Sequence, residues 1–106
     1  MKQIKWQGSS YKDLLAFPKE AKQLFGYNLD RIQRGLDPIN WKPMPSVGDG
    51  VKEIRVHANN EYRIFYVANI GPAIYVLHAF SKKTQKTRQS DIEIAKERLK
   101  QIKRGK

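Results

Sequence analysis

The chain has 106 residues, with 21 Lys and Arg against 10 Asp and Glu, two His and no Cys, giving a formal charge of +11 and an isoelectric point near 10.0. That length leaves room for one core, so a single domain over residues 1–106 is expected; without cysteine, a disulfide framework and a thiolate nucleophile are excluded. The charge imbalance bears on partners and points to a polyanion or an acidic protein. Two histidines are too few to suggest a structural zinc site, and neither metal nor cofactor is expected. The first ten residues lack the apolar run of a signal peptide and the stretch Ala73 to Phe80 is too short to cross a bilayer, so a cytoplasmic protein without a membrane partner is expected.

Lys2 to Trp6 alternates polar and apolar residues and predicts a short strand that pairs with an edge of a larger sheet. Ser10 and Asp13 have the spacing of a helix start, and Pro18 then restarts the chain as a second helix. Ala21, Leu24, Phe25, Leu29 and Ile32 recur at helical steps as its core stripe, with Gly35 at the C-terminal end. Leu36 to Gly50 carries three prolines and reads as a long loop pinned by Trp41 and Met44. The runs VKEIRVH, EYRIFYVA and AIYVLHAF predict an antiparallel three-stranded meander, broken at Ala58-Asn59-Asn60 and Asn69-Ile70-Gly71-Pro72. Ser90 and Glu93 repeat the capping spacing before a helix of about three turns, whose apolar positions are Ile92, Ala95, Leu99 and Ile102. The fold class is α+β: a short N-terminal strand, two helices, the meander and a C-terminal helix.

Strand alternation puts Glu53, Arg55 and His57 on one face, exposed or functional, with Ile54 and Val56 toward the helices. Arg63 shares a face with Phe65 and Val67, opposite Tyr62, Ile64 and Tyr66, so neither face of that strand is cleanly polar and the sheet is covered on both sides; in the third run Ile74, Val76, His78 and Phe80 share a face. Arginines at 55 and 63, in strands otherwise built for burial, need a carboxylate partner or an anionic ligand. Ten of the 21 basic residues follow Phe80, beginning with Lys82 and Lys83 at the exit of the third run, with only Asp91, Glu93 and Glu97 to offset them. Arg55 and Arg63 offer planar forks for phosphate oxygens, and Lys82 and Lys83 compact mobile charges beside them. His57, His78 and Lys86 are candidates for proton transfer, with Lys82 as another, and the general base is left open among them. His78 in an apolar strand also fits a hydrogen-bonded core residue. Tyr66 and Phe80 are candidates for stacking on an unpaired base, or packing residues, and Arg88 adds a further charge for RNA.

The segments KPMPSVGDGVKEIRV, EYRIFYVA and AIYVLHAFSKKTQKT resemble the HigB-like, phage-associated branch of the RelE/ParE toxin superfamily. The likeness covers most of the chain, and Thr87-Arg88 stands where members often have Thr-Pro. It implies a small α/β sheet with an RNA site, an endoribonuclease that cuts mRNA, often on the ribosome, and a cognate helix-turn-helix antitoxin. With no metal ligands, the ribose 2′-hydroxyl is the expected nucleophile, and basic side chains stabilise the charge that builds on phosphorus. Two alternatives stand beside this reading: a ParE-like toxin that obstructs DNA gyrase without chemistry, and a basic nucleic-acid-binding module.

Overall fold

The computed structural model describes residues 1–82 and 87–105 and has the expected α+β order of elements. These are β1 (Gln3–Trp6), α1 (Ser10–Leu15), α2 (Lys19–Gln33), β2 (Trp41–Pro43), β3 (Val51–Ala58), β4 (Asn60–Val67), β5 (Ala73–Lys82) and α3 (Gln89–Arg104). Among the described residues the strands form one sheet in the order β1-β5-β4-β3-β2. The meander β3-β4-β5 is antiparallel, and its first turn is closed by Asn59 at a φ of 69°, a left-handed position that Asn tolerates better than most residues. β1 joins the free edge of β5 in parallel register, Gln3 opposite Ala73 through Trp6 opposite Val76. The intervening helices provide the crossover that parallel pairing needs.

The Pro-rich stretch is not all loop. Trp41–Pro43 pairs antiparallel with β3, Lys42 opposite Glu53, and extends the meander by one strand. Pro43 is compatible with this because β2 is an edge strand. Met44 is buried as expected, and Trp41, half-buried, lies beneath the Lys52 ammonium at 4.4 Å from its ring centre.

Each face of the sheet carries its own core. On one, Ala21, Phe25, Leu29 and Ile32 of α2 pack with Ile54, Val56, Ile64, Tyr66, Ile74 and Val76. On the other, Ala95, Leu99 and Ile102 of α3 pack with Val51, Phe65, Val67, Leu77 and Phe80. Leu24, expected in the α2 stripe, is 39% exposed, and Asn28 takes the buried place instead. Asn28 donates to the Leu24 carbonyl and accepts from the Ile39 backbone N–H, clamping the following loop to the helix. Gly35, at a φ of 84°, ends α2 in the left-handed conformation. Its N–H donates to the Ile32 carbonyl and that of Leu36 to the Arg31 carbonyl, a Schellman closure. Gly26 lies exposed inside α2, and a methyl group added there would meet nothing within 4 Å, so Gly26→Ala is expected to raise unfolding free energy by about 0.5–1 kcal/mol in urea titration.

Both capping expectations shift by a residue or more. Ser9, not Ser10, precedes α1, and Ser10 is buried with its hydroxyl donating to the Val76 carbonyl. α3 starts at Gln89 behind Arg88, so Ser90 lies inside it, and at 16 residues it is longer than the three turns expected. Asp91, in its first turn, is buried and bonds side chains rather than free backbone N–H groups.

A β-bulge corrects the face assignment along β5. Phe65 pairs with His78 and Tyr66 with Val76, so Leu77 is the extra residue. Ile74 and Val76 face α2, whereas His78 and Phe80 turn to the α3 side with Phe65. Arg98 of α3 closes the irregularity: its Nη1 donates to the Leu77 carbonyl at 2.9 Å and its Nη2 to Ser9 Oγ at 3.2 Å. Gly8, at a φ of 54°, leaves room for that guanidinium, where any β-carbon would collide with it. Arg98→Met leaves the Leu77 carbonyl without this donor, and a loss of about 1–3 kcal/mol is expected in the same titration.

Candidate functional site

The bulge, the meander register and β2 together bring charged residues to one place on the α3 face. Arg55 lies directly opposite Arg63, Glu61 opposite both His57 and Lys82, and Lys42 opposite Glu53. Like charges facing across strands destabilise a sheet, and here the carboxylates of Glu53 and Glu61 offset them. Glu53 is fully buried, and Arg63 and Lys82 are 6% and 7% exposed. Arg63 Nε stands 3.5 Å from Glu53 Oε1, and its Nη1 stands 3.3 Å from Glu61 Oε2 and also donates to the Tyr62 carbonyl. Lys42 Nζ approaches Glu53 Oε1 at 4.0 Å, and Thr87 Oγ1 donates to Glu53 Oε2 at 3.4 Å.

The pairing is incomplete. Glu53 Oε1, Arg63 Nε and Arg55 Nε are buried without a hydrogen-bond partner among the described residues, although the first two lie within ion-pair distance. Charges taken from water at this depth each cost several kcal/mol unless fully paired and hydrogen-bonded. Apolar residues would fill this space at less cost, which makes a loosely paired cluster of this kind a candidate functional site. Beside it a cleft of about 220 Å³ is lined by Asn40, Arg55, His57, Glu61 and Arg63. Lys82 is held below the usual ammonium range, first by desolvation and then by Arg63, Lys42 and Arg55, with Glu53 acting in the opposite direction. Counting side chains, Lys42, Arg55, Arg63 and Lys82 bring four positive charges against the two of Glu53 and Glu61. The excess leaves capacity for an anion.

The family described as Phage derived protein Gp49-like (DUF891) matches residues 12–100, a span that includes every residue of this cluster. The chain belongs to this family. It is a RelE/HigB-like toxin family, and a toxin of this kind implies an antitoxin partner. No curated protein matches the chain.

Of the residues singled out in the sequence of this Gp49-like protein, Arg55, Arg63 and Lys82 come together, and His57 joins them at the rim. His57 is exposed, with Nδ1 3.5 Å from Glu61 Oε2. Lys83 and Lys86 lie outside the described residues. Tyr66 is not a stacking surface: it is 2% exposed on the α2 face, where burial, with some help from Asp37, pushes its phenol above the ordinary range. Phe80 is on the site face but is a packing residue, 6% exposed, with its ring 5.0 Å from Phe65 and stacked on His78 at 4.9 Å. His78 thus lies behind Phe80 and is bound to Asp91, its Nε2 2.8 Å from Oδ1. Arg88 is exposed, and its Nε donates to Asp91 Oδ2 at 3.1 Å. Of the two strand arginines, Arg63 has acidic partners, Glu53 and Glu61, both on the strands. Among the described residues no three His, Asp or Glu side chains gather as metal ligands would, and no helix is long and apolar enough to cross a membrane.

Burial lowers the His78 pKa; Arg98 adds to this, while Asp91, through its hydrogen bond and charge, and Asp13 oppose it. The unfolded chain binds this proton near pH ~6.5 and the folded chain only at lower pH. His78 therefore favours the folded state most fully above that value, and the contribution is lost as pH falls through the folded pKa. Thermal melting between about pH 7 and pH 5 is expected to show a shallower acid loss for His78→Gln than for the unaltered chain. Equal slopes would contradict it.

Proposed function

We propose that this chain is the toxin of a type II toxin–antitoxin pair and acts in the cytoplasm as an endoribonuclease on mRNA engaged with the ribosome. The observation that carries this reading is the surplus of positive charge around Glu53, set beside an open cleft. The scissile phosphate binds between Arg55 and Arg63, whose guanidinium forks neutralise the charge that builds on its oxygens. The 2′-oxygen of the preceding ribose forms a bond to phosphorus and the bond from phosphorus to the 5′-oxygen breaks. The 2′-hydroxyl proton passes to a base, and a proton is returned to the departing 5′-oxygen. The products are a 2′,3′-cyclic phosphate and a 5′-hydroxyl, and the nucleophile comes from the substrate.

Among the described residues we assign the proton to Lys82. It is buried beside Arg63, and its lowered pKa makes the neutral amine easier to reach than in water. His78, behind Phe80, is out of reach of a substrate in the cleft, and His57 stands at the rim. The partner is a helix-turn-helix antitoxin, and the charge of +11 favours an acidic contact surface on it. Sequencing RNA ends after brief induction tests the reading. Cuts within coding regions, in phase with the reading frame, are expected; intact messages together with gyrase-linked DNA breaks would replace it with the gyrase-obstructing alternative.

A further inference from the structure

Outside the charged cluster, His78 and Asp91 form a buried histidine–carboxylate pair. Asp91 is 4% exposed and His78 6%, and they join β5 to the first turn of α3 at 2.8 Å. The second carboxylate oxygen of Asp91 receives Arg88 Nε, whose side chain is 69% exposed. Thr87, the residue before, donates to Glu53 at the centre of the cluster. Two tethers thus fix the entry to α3: Thr87 to Glu53, and Arg88 through Asp91 to His78.

Arg88 occupies the residue before a helix, where Ser, Thr, Asp or Asn would cap free N–H groups and a cation opposes the helix dipole. It makes no capping hydrogen bond from its side chain. Its backbone carbonyl accepts from Asp91 and Ile92, so the position is well fixed while the guanidinium faces solvent. Arg88 uses Nε on Asp91, and its outer nitrogens meet no partner among the described residues. An arginine held by one edge is a pre-set fork for a phosphate oxygen, with less rotamer freedom left to lose on binding.

We propose that His78 is a positioning residue for RNA: through Asp91 it holds Arg88 at the edge of the Arg63 cluster, where Arg88 grips a backbone phosphate beside the scissile one. The His78 Nδ1, buried and without a hydrogen-bond partner among the described residues, fits this role. A neutral ring donates from Nε2 to Asp91 and leaves the carboxylate its full charge for Arg88. The burial that lowers the His78 pKa keeps the ring in that form near neutral pH. Stacking on Phe80 fixes the plane of the ring and so the direction of the hydrogen bond.

This inference rests on the RNA-cleaving reading, and its test separates the two. Affinity for a short RNA with 2′-deoxy substitution at the cut site, which binds but does not react, is measured over a range of salt for the full chain and its variants. Arg88→Gln is expected to weaken binding about tenfold and to lower the salt slope by about one phosphate. His78→Leu is expected to do the same, with no further loss in the double variant. His78→Gln, which keeps a donor near the Nε2 position, is expected to bind as the unaltered chain does. Should His78→Leu fail to fold, Asp91→Asn replaces it in the same cycle, since it keeps the shape but loses the charge that holds Arg88. Additive losses in the double variant, or an unchanged salt slope, would overturn the role of His78 while leaving the cleavage reading intact. No binding by the unaltered chain, either to this RNA or to message held on translating ribosomes, would overturn both.

Discussion

Arg63→Gln is expected to lower the rate of RNA cleavage by about a hundred- to a thousandfold, the range for removing one preorganised charge donor from a site where negative charge develops. Arg63 is the most constrained cation of the cluster, 6% exposed and within ion-pair distance of both Glu53 and Glu61. Glutamine keeps hydrogen-bonding capacity but supplies neither the charge nor the fork. The loss should appear mainly in kcat, because Arg55 and Lys82 still attract the ground-state phosphate. Single-turnover cleavage of message held on translating ribosomes measures it. A rate within about threefold of the unaltered chain would remove Arg63 from the reaction.

The second large effect is on Glu53. Replacing it by Gln removes the carboxylate around which Arg63, Lys42, Lys82 and Thr87 converge. Breaking one side of a buried ion pair leaves the other charge uncompensated, and a destabilisation of about 3–5 kcal/mol is expected in urea unfolding. A chemical signature accompanies it. Glu53 raises the pKa of Lys82 against the lowering by burial and by Arg63, so its removal lowers that pKa further. If the neutral Lys82 amine takes the 2′-proton, the rising limb of the pH–rate profile should move to lower pH in Glu53→Gln. A limb that stays in place, or moves to higher pH, would take the proton transfer away from Lys82.

The meander and its boundaries were legible because β-branched and aromatic runs alternate with turn residues. VKEIRVH, EYRIFYVA and AIYVLHAF fall within or almost within β3, β4 and β5. The helix after Pro18 was legible for the same kind of reason, a stripe at helical spacing closed by Gly35. β2 was not, because three residues around Trp41 carry no period of their own and become a strand only by pairing with β3. Nor was the bulge at Leu77, which moves His78 and Phe80 from the expected face to the opposite one. Nothing in AIYVLHAF marks the extra residue; Arg98, some twenty positions later, satisfies it.

Half of the candidate site followed from composition. Arg55 and Arg63 stand out as cations in apolar strands and Lys82 as the start of the basic run that follows them, and the three do meet. The role of Glu53 was hidden because strict alternation placed it on a face that looked exposed. Glu53 is buried, and two of its partners, Lys42 of an unrecognised strand and Thr87 at the entry to α3, were not legible as such. Tyr66 and Phe80 were ambiguous for a simpler reason: an aromatic in a strand serves packing and stacking with the same residue type, and both prove to be packing residues.

The central claim is that this cluster cleaves RNA through the substrate's own 2′-hydroxyl. Its most direct test is the chemistry of the new ends when purified protein acts on message in translating ribosomes with chelator present. The account predicts 2′,3′-cyclic phosphate and 5′-hydroxyl ends that disappear with Arg63→Gln. Intact RNA, 3′-hydroxyl and 5′-phosphate ends, or cleavage undiminished by Arg63→Gln would contradict it.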